Sequence, residues 1–360
     1  MRFLLSGYYG FGNLGDEALL AQIVAQLKTR YPHETIDVLS AHPATTAHEF
    51  GIESTARLDL GTVKRAIERA DIVLSGGGGL LQNATSLKSL LYYAGIIRTA
   101  IHAGKRTMIF AQSIGPLDFW GRQTVRECCK GLTAATVRDE RSRELLTSLL
   151  PGVPVERTAD PVFLYEPPAT PVDLSAAGLG DESDPLVVVA VRKTSHFDDV
   201  ATLLAAAVDR LALTHGARVA FVPFGGQADA EAATVVIRKC RSKPALVELA
   251  GLDAVAAAIA RARLVIGVRL HALILAVRFA VPFLAVAYDP KVLGLCEDAE
   301  YPLEPLWSPT ARDLGGSAIE RAVDDAWSRR DELSAHLAGK YGTIRGLAEA
   351  NFTALARVVG

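Results

Sequence analysis

The residues best suited to chemistry stand where apolar runs end. In IGVRLHALILA, residues 266–276, Arg269 and His271 lie two apart where a strand-like run gives way to a strongly apolar helical one. A guanidinium fork beside a titratable imidazole makes an anion site with a proton donor attached. Taken alone, His271 reads more readily as a core histidine, and Arg269 two residues earlier shifts that balance. After the next apolar run, VPFLAVAY, come Asp289 and Lys291, and two adjacent parallel strands would bring Lys291 close to His271. In TVRDERS, Arg138 closes another strand, where its fork can hold a carboxylate or a phosphate. A surface pair with Asp139 or Glu140 is the other reading of that arginine.

Glycines mark two further places. GYYGFGNLGDE, residues 7–17, puts four glycines between a strand and a helix. Positive φ, close backbone approach and free helix N–H groups make such a turn a ligand cradle. Gly10, Gly12 and Gly15 fit G-x-G-x-x-G, but counted from Gly7 the register fails, and TIDVLS ends in Ala41 and His42 rather than an acidic residue. It is therefore not the dinucleotide fingerprint. Gly12 and Asn13 lie in the cradle, and Asp16 and Glu17 are candidate bases, with helix capping the other reading of Asp16. DIVLS opens into Gly76–Gly79 and then Leu80, Leu81, Gln82 and Asn83. Four glycines in a row cost backbone entropy, so a ligand or a facing backbone comes close around Gly78. AQSIGP leaves Gln112 and Ser113 at a strand end, where an amide and a hydroxyl suit sugar hydroxyls; a simple turn at Gly115 and Pro116 is the alternative.

These motifs need a frame of alternating strands and helices. RFLLSG, TIDVLS, DIVLSG, TMIFAQS and AATVRD read as strands, with helices over 16–30, 86–102, 122–130 and 140–150. Thr158–Phe163 reads as a further strand-end turn. YEPPATPVDLSAAGLGDESDP is rich in Pro, Gly and acids and reads as a linker. The pattern then restarts with PLVVVAVR, ARVAFVPFG, ALVEL, ARLVIGVR and VPFLAVAYD and helices over 198–214, 228–240, 253–261 and 270–279. Residues 1–165 are thus expected to form one Rossmann-like domain on the acceptor side and 186–315 a second on the donor side, joined by 166–185. Helices over 316–360 pack back on them. Two α/β domains facing one another would place a ligand cleft at the carboxyl ends of both sheets.

The 360 residues suit about two domains, each with its own core. Thirty-eight Lys and Arg against 40 Asp and Glu leave a net charge of −2, which gives no electrostatic reason for bulk nucleic-acid binding. Half the residues are hydrophobic and the mean hydropathy is +0.22, which excludes a disordered chain. The most apolar stretch, 270–287, carries His271, Arg278 and Pro282 and reads as helix, turn and strand rather than a membrane span. The apolar start is too short for a signal peptide, so a cytoplasmic protein is expected. Cys128, Cys129, Cys240 and Cys296 have neither metal-ligand nor disulfide spacing, and no metal site is expected.

Taken in order, GYYGFGNLGDEALL, GGGGLLQ, QSIGP, VRDERS, ADPVF, GVRLHALILA and AYDPKV resemble the polysaccharide pyruvyl transferases, most closely the CsaB type of bacterial cell-wall polymer synthesis. The likeness spans residues 1–295. It implies a GT-B-like pair of Rossmann-type domains and transfer of pyruvate from phosphoenolpyruvate to a sugar as a 4,6-ketal. The family's donor residues fall on Arg138, Arg269, Leu270, His271 and Lys291. His271 is then the general acid, and Lys291 and Arg138 stabilise the leaving phosphate. Gly12, Asn13, Asp16, Glu17, Gly78, Gln82, Asn83, Gln112 and Ser113 remain for the acceptor or its base. Phosphoenolpyruvate is a co-substrate and no cofactor is needed. The CsaB likeness makes the acceptor a lipid-linked saccharide ending in N-acetylmannosamine, whose ketal anchors S-layer proteins, and sets the enzyme at the cytoplasmic membrane face without spanning it. It fixes no oligomeric state. The rivals are a GT-B glycosyltransferase using a nucleotide sugar, with Glu297, Asp298 or Glu300 as ribose ligand, and a non-catalytic sugar- or lipid-binding module, which would not need the Arg, His and Lys set.

Overall fold

The computed structural model describes residues 1–84, 86–180, 184–308 and 316–360. The chain divides into two compact units, Met1–Leu164 with Arg345–Gly360, and Tyr165–Ile344. The first unit holds β1 (Arg2–Tyr9), β2 (Thr35–Ser40), β3 (Glu53–Ala56), β4 (Ile72–Gly76), β5 (Arg106–Gln112), β6 (Ala134–Val137) and β7 (Val155–Arg157). Between them run α1 (Leu14–Arg30), α2 (Pro43–Phe50), α3 (Leu60–Arg69), α4 (Leu87–His102), α5 (Phe119–Cys128) and α6 (Glu140–Leu149), and a single 3-10 turn, Pro161–Leu164, follows β7. The seven strands are parallel, in the order β3-β2-β1-β4-β5-β6-β7.

Local sequence explains most of these elements. β4 and β5 are almost wholly buried, as parallel strands covered on both faces must be. Asp59, Ser86, Asp118 and Asp139 each accept a backbone N–H at the start of the helix they precede. The short outer strands β3 and β7, ESTA and VER, carry no apolar run, whereas the short helix α3 spaces Val63, Ala66 and Ile67 on one buried face. The unit is closed by the end of the chain. Asn351 accepts from the Thr158 hydroxyl at 2.8 Å and donates to the Ala159 carbonyl at 2.8 Å, while Phe352 meets Phe110 edge-on at 5.1 Å.

The second unit holds β8 (Leu186–Ala190), β9 (Arg218–Phe221), β10 (Ala245–Leu246), β11 (Leu264–Gly267) and β12 (Phe283–Ala285), parallel and ordered β10-β9-β8-β11-β12. Its helices are α7 (Phe197–His215), α8 (Gln227–Lys239), α9 (Gly251–Arg261), α10 (Leu270–Arg278), α11 (Pro290–Asp298) and α12 (Gly316–Ser328). The final helix, α13 (Arg330–Val359), begins in the second unit and ends in the first. α12 packs on α7, where Arg210 grips Asp324 with two hydrogen bonds of 2.9 and 2.6 Å. The stretch 270–287 is helix, turn and strand, and no helix of the described residues is long and apolar enough to cross a membrane. Residues 166–180 form no helix or strand. Positions 181–183 of the expected linker and 309–315, which include the expected end of the second domain, lie outside the described residues.

Each strand order reverses direction once, between β1 and β4 in the first unit and between β8 and β11 in the second. Loops leaving the carboxyl ends of those strands diverge to opposite sides of the sheet and leave a crevice, where open α/β sheets bind ligands. The two glycine motifs leave β1 and β4, and the Arg269–His271 segment leaves β11.

Candidate active site

At the crevice of the first unit the glycine segments support one another. Tyr9 is buried, and its hydroxyl donates to the Gly76 carbonyl at 2.7 Å. Gly7 must be glycine because a Cβ there would lie 2.3 Å from the Tyr9 ring. Gly78 has φ +66°, and a Cβ on it would come within 2.9 Å of the Asp16 carboxylate. The Gly78 carbonyl accepts from the Ser113 amide at 3.0 Å and from Arg138 Nη2 at 3.1 Å. Arg138 Nη2 also donates to Ser113 Oγ at 3.3 Å, and its Nη1 donates to Asp160 in a salt bridge buried on both sides.

Three readings change here. Arg138 pairs with neither Asp139 nor Glu140: Asp139 caps α6 and Glu140 binds Arg143. Nη1 of Arg138 is taken by Asp160, a residue within the ADPVF segment that sequence patterning reduced to a turn, and its Nη2 by Gly78 and Ser113. Asp16 does not cap α1. Asn13 is the N-cap residue and donates its side-chain amide to Asp16, one turn inside. Gln112 is fully buried and its amide nitrogen donates to the Ser75 carbonyl and hydroxyl at 2.6 and 2.8 Å, so the strand end it occupies faces inward. Asn83 accepts from the Asp118 amide at 3.1 Å, tying the loop after β4 to the start of α5. Gln82 is half-buried in the same loop.

Glu17 does more than start a helix. Its Oε1 accepts the Gly10 and Gly12 amides at 2.9 and 3.3 Å and fastens the turn between them. Burial pushes its carboxyl from the usual 4.5 up to about 7 against those two hydrogen bonds, with the charge of Asp16 adding to the rise.

The second unit builds a more charged crevice. Arg269, the N-cap residue of α10, grips the buried Asp229 with Nε at 2.7 Å and Nη2 at 2.5 Å. Gly225 makes room for the pair, since a Cβ there would lie 2.0 Å from Arg269 Nη2. Leu270 and His271 open α10 half-buried, with His271 Nε2 shielded from solvent. Lys291 follows the neighbouring strand β12, in the first turn of α11 rather than at the strand end, with Nζ 3.9 Å from Asp289, the cap of that helix. Sequence patterning missed Arg192 and Tyr288. Arg192 Nη1 donates to the Tyr288 hydroxyl at 2.8 Å, and its buried Nε has no hydrogen-bond partner among the described residues. Burial raises the Tyr288 phenol, and Arg192, Asp289 and Arg269 all lie close enough to act on its charge. Beside the loop after β8 lies a pocket of about 710 Å³ lined by Lys193, Thr194 and His196 and by Glu231 of α8.

The model of one family, described as "Polysaccharide pyruvyl transferase", matches residues 13–290. The chain belongs to the polysaccharide pyruvyl transferases. It is an enzyme, and the matched span takes in Arg138, Arg269, Leu270 and His271, with Lys291 one residue beyond it. No curated protein matches. Solved structures similar to this pyruvyl transferase share its fold at low identity. Anabaena HepE, in complex with UDP-glucose, is 12% identical over 100% of this chain and 99% of its own, with a TM-score of 0.67. The UDP-GlcNAc 2-epimerase of Neisseria meningitidis, bound to UDP-GlcNAc, is 11% identical over 99% and 100%, at 0.64. MnaA of S. aureus, solved with UDP, is 12% identical over 95% and 92%, at 0.63. The fold of the pyruvyl transferase is therefore GT-B. Among the described residues no group of His, Cys, Asp and Glu could hold a metal ion.

Proposed function

We propose that the enzyme moves pyruvate from phosphoenolpyruvate to two hydroxyls of one sugar as a 4,6-ketal and releases phosphate. The acceptor proposed is an N-acetylmannosamine residue of a lipid-linked cell-wall polymer precursor, met at the cytoplasmic face of the membrane, and the product ketal serves to anchor S-layer proteins. The observation that carries the reading is the family match over residues 13–290, which takes in the V-R-D and R-L-H residues. Phosphoenolpyruvate carries a carboxylate and a phosphate, and it needs fixed cations and a proton donor rather than a redox cofactor.

In this reading His271 protonates the methylene carbon of the donor, and the adjoining carbon becomes electrophilic. A sugar hydroxyl attacks that carbon and gives its proton to a base. The bond from carbon to phosphate oxygen then breaks, phosphate leaves, and a second hydroxyl closes the ketal. One hydroxyl proton ends on the new methyl group and the other on phosphate, so the reaction balances without an oxidant. Arg269 and Arg138 are already bound to Asp229 and Asp160, and they act mainly by holding the R-L-H and glycine turns in place. Lys291 and Arg192 supply the charge that meets the donor. Glu17 is the base proposed for the hydroxyls, because a carboxyl at about 7 is divided between its two forms near neutral pH.

Calorimetric titration tests the donor, comparing phosphoenolpyruvate with UDP and UDP-sugars at matched ionic strength. Saturable binding of phosphoenolpyruvate, weakened roughly tenfold in Lys291→Ala, is the expected result. A response to UDP compounds alone would make the chain a nucleotide-sugar glycosyltransferase. With donor and acceptor together, kcat/KM should fall below an apparent pKa near 7, and Glu17→Gln should abolish that limb.

A further inference from the structure

Arg57 has no part in the reaction above, yet it stands at the crevice of the first unit. It follows β3 directly and is only 7% exposed. Nη1 donates to the Gly7 carbonyl at 3.3 Å and Nη2 to the Tyr93 hydroxyl at 3.1 Å. Its buried Nε has no hydrogen-bond partner among the described residues, and no carboxylate there pairs with the guanidinium. The rings of Phe11, Tyr92 and Tyr93 surround it, with centroids 4.8, 4.6 and 5.4 Å from Cζ. Arg138 and Arg269 are neutralised by buried carboxylates, whereas among the described residues none is paired with Arg57.

Burying a cation without a counter-charge is expensive. Aromatic faces and a carbonyl offset part of that cost, but they leave Nε–H unused. Nε and the nitrogen beside it make the edge that binds carboxylate and phosphate with two parallel hydrogen bonds. A purely structural role accounts for the bonds to Gly7 and Tyr93 and not for the unused Nε–H. Of the three rings Phe11 is the most exposed. Phe11 lies over Arg57, is 45% exposed, and stacks at 4.1 Å on Tyr8, which is 40% exposed. Phe11 sits between Gly10 and Gly12, whose φ values of +79° and +72° favour glycine, in the turn that Glu17 fastens. The nearby acids are engaged elsewhere, Glu17 on the two glycine amides and Asp16 on Asn13.

We infer that Arg57 is the seat of an anion site covered by Phe11, taking a phosphate group of a substrate, with the exposed Tyr8–Phe11 pair offering a stacking face to the sugar beside it. The two sources of such a group are the diphosphate of a lipid-linked acceptor and the phosphate of phosphoenolpyruvate. Naming them as sources rests on the pyruvyl-transfer reading; the anion site itself does not.

Inorganic pyrophosphate is the probe, titrated calorimetrically into the full-length protein at fixed ionic strength. Wild type should bind it saturably, and Arg57→Gln should weaken binding roughly ten- to hundredfold, as expected for charge-assisted hydrogen bonds. Arg57→Lys keeps the charge without the fork and should fall between the two. Phe11→Ala leaves Arg57 in place and should speed association in stopped flow. Displacement of pyrophosphate by phosphoenolpyruvate assigns the site to the donor, and its absence assigns it to the acceptor. No binding by wild type overturns the proposal. So does wild-type affinity in both Arg57 variants, and if Arg57→Gln fails to fold, wild-type affinity in Arg57→Lys together with unchanged association in Phe11→Ala does the same. Pyrophosphate binding that needs Arg57, in a protein that never turns over phosphoenolpyruvate, would sink pyruvyl transfer and leave the site standing.

Discussion

The two crevices use the same device for different ends. In each, a strand-end arginine is locked to a buried aspartate, Arg138 to Asp160 in the first unit and Arg269 to Asp229 in the second. Around Arg138 the remaining partners are the Gly78 carbonyl and Ser113, groups that do not titrate near neutrality. Near Arg269 stands Tyr288, which also feels Arg192 and Asp289, with His271 two residues along the chain. A glycine turn cannot hold its own shape, so in the first unit the ion pair serves as scaffold. In the second unit the pair fixes the turn that opens α10 at Leu270 and His271. An arginine at a strand end is thus a poor guide to ligand contact until its partner is known.

The sharpest way to break this contrast is His271→Ala. Turnover should fall by roughly 10²–10⁴-fold while phosphoenolpyruvate binding and the thermal melt stay close to wild type. Near-normal turnover would remove the acid from the second unit and, with it, the chemical half of the comparison. Next in size is the loss of a buried partner. Asp160→Asn leaves Arg138 buried without its counter-charge and should cost about 3–5 kcal/mol in urea denaturation, as breaking a buried ion pair does. Asp229→Asn should cost less, because Arg269 is more exposed than Arg138 (15% against 7% of the side chain) and can turn to solvent. Equal losses would show that the two pairs bear the same structural load.

The smallest effect concerns Glu17, and its sign follows from burial. The folded protein holds the Glu17 proton up to about pH 7, whereas the unfolded chain releases it near 4.5. Folding therefore favours the protonated form, and this group lowers stability as pH rises from about 4.5 to about 7. Glu17→Gln stays neutral throughout, so its stability relative to wild type should climb across that window and level off above it. Denaturant midpoints at pH 5, 6, 7 and 8 measure the trend. A flat difference would mean that the Gly10–Gly12 turn leaves Glu17 solvated.

Alternation of apolar runs with amphipathic segments was enough to place β1, β4, β5, β8 and β11, because a parallel strand buried on both faces writes itself as an uninterrupted apolar stretch. It was also enough to find the glycine turns and the R-L-H segment, since they sit where such runs stop. β3 and β7 left no comparable trace, being short strands at the ends of the sheet order.

What the sequence determined by itself is therefore local: strand ends, turns that only glycine can make, and the residue types available there. Tertiary structure decided which of those residues are spent on the fold. Asp160 and Asp229 close on arginines 22 and 40 positions away, and Gln112 turns inward to a strand 37 positions earlier. Arg57 meets rings on a distant helix and a glycine turn rather than a carboxylate. Ion pairing and burial depend on distances between segments that no periodicity encodes, so partners emerge only once strand order has brought those segments together.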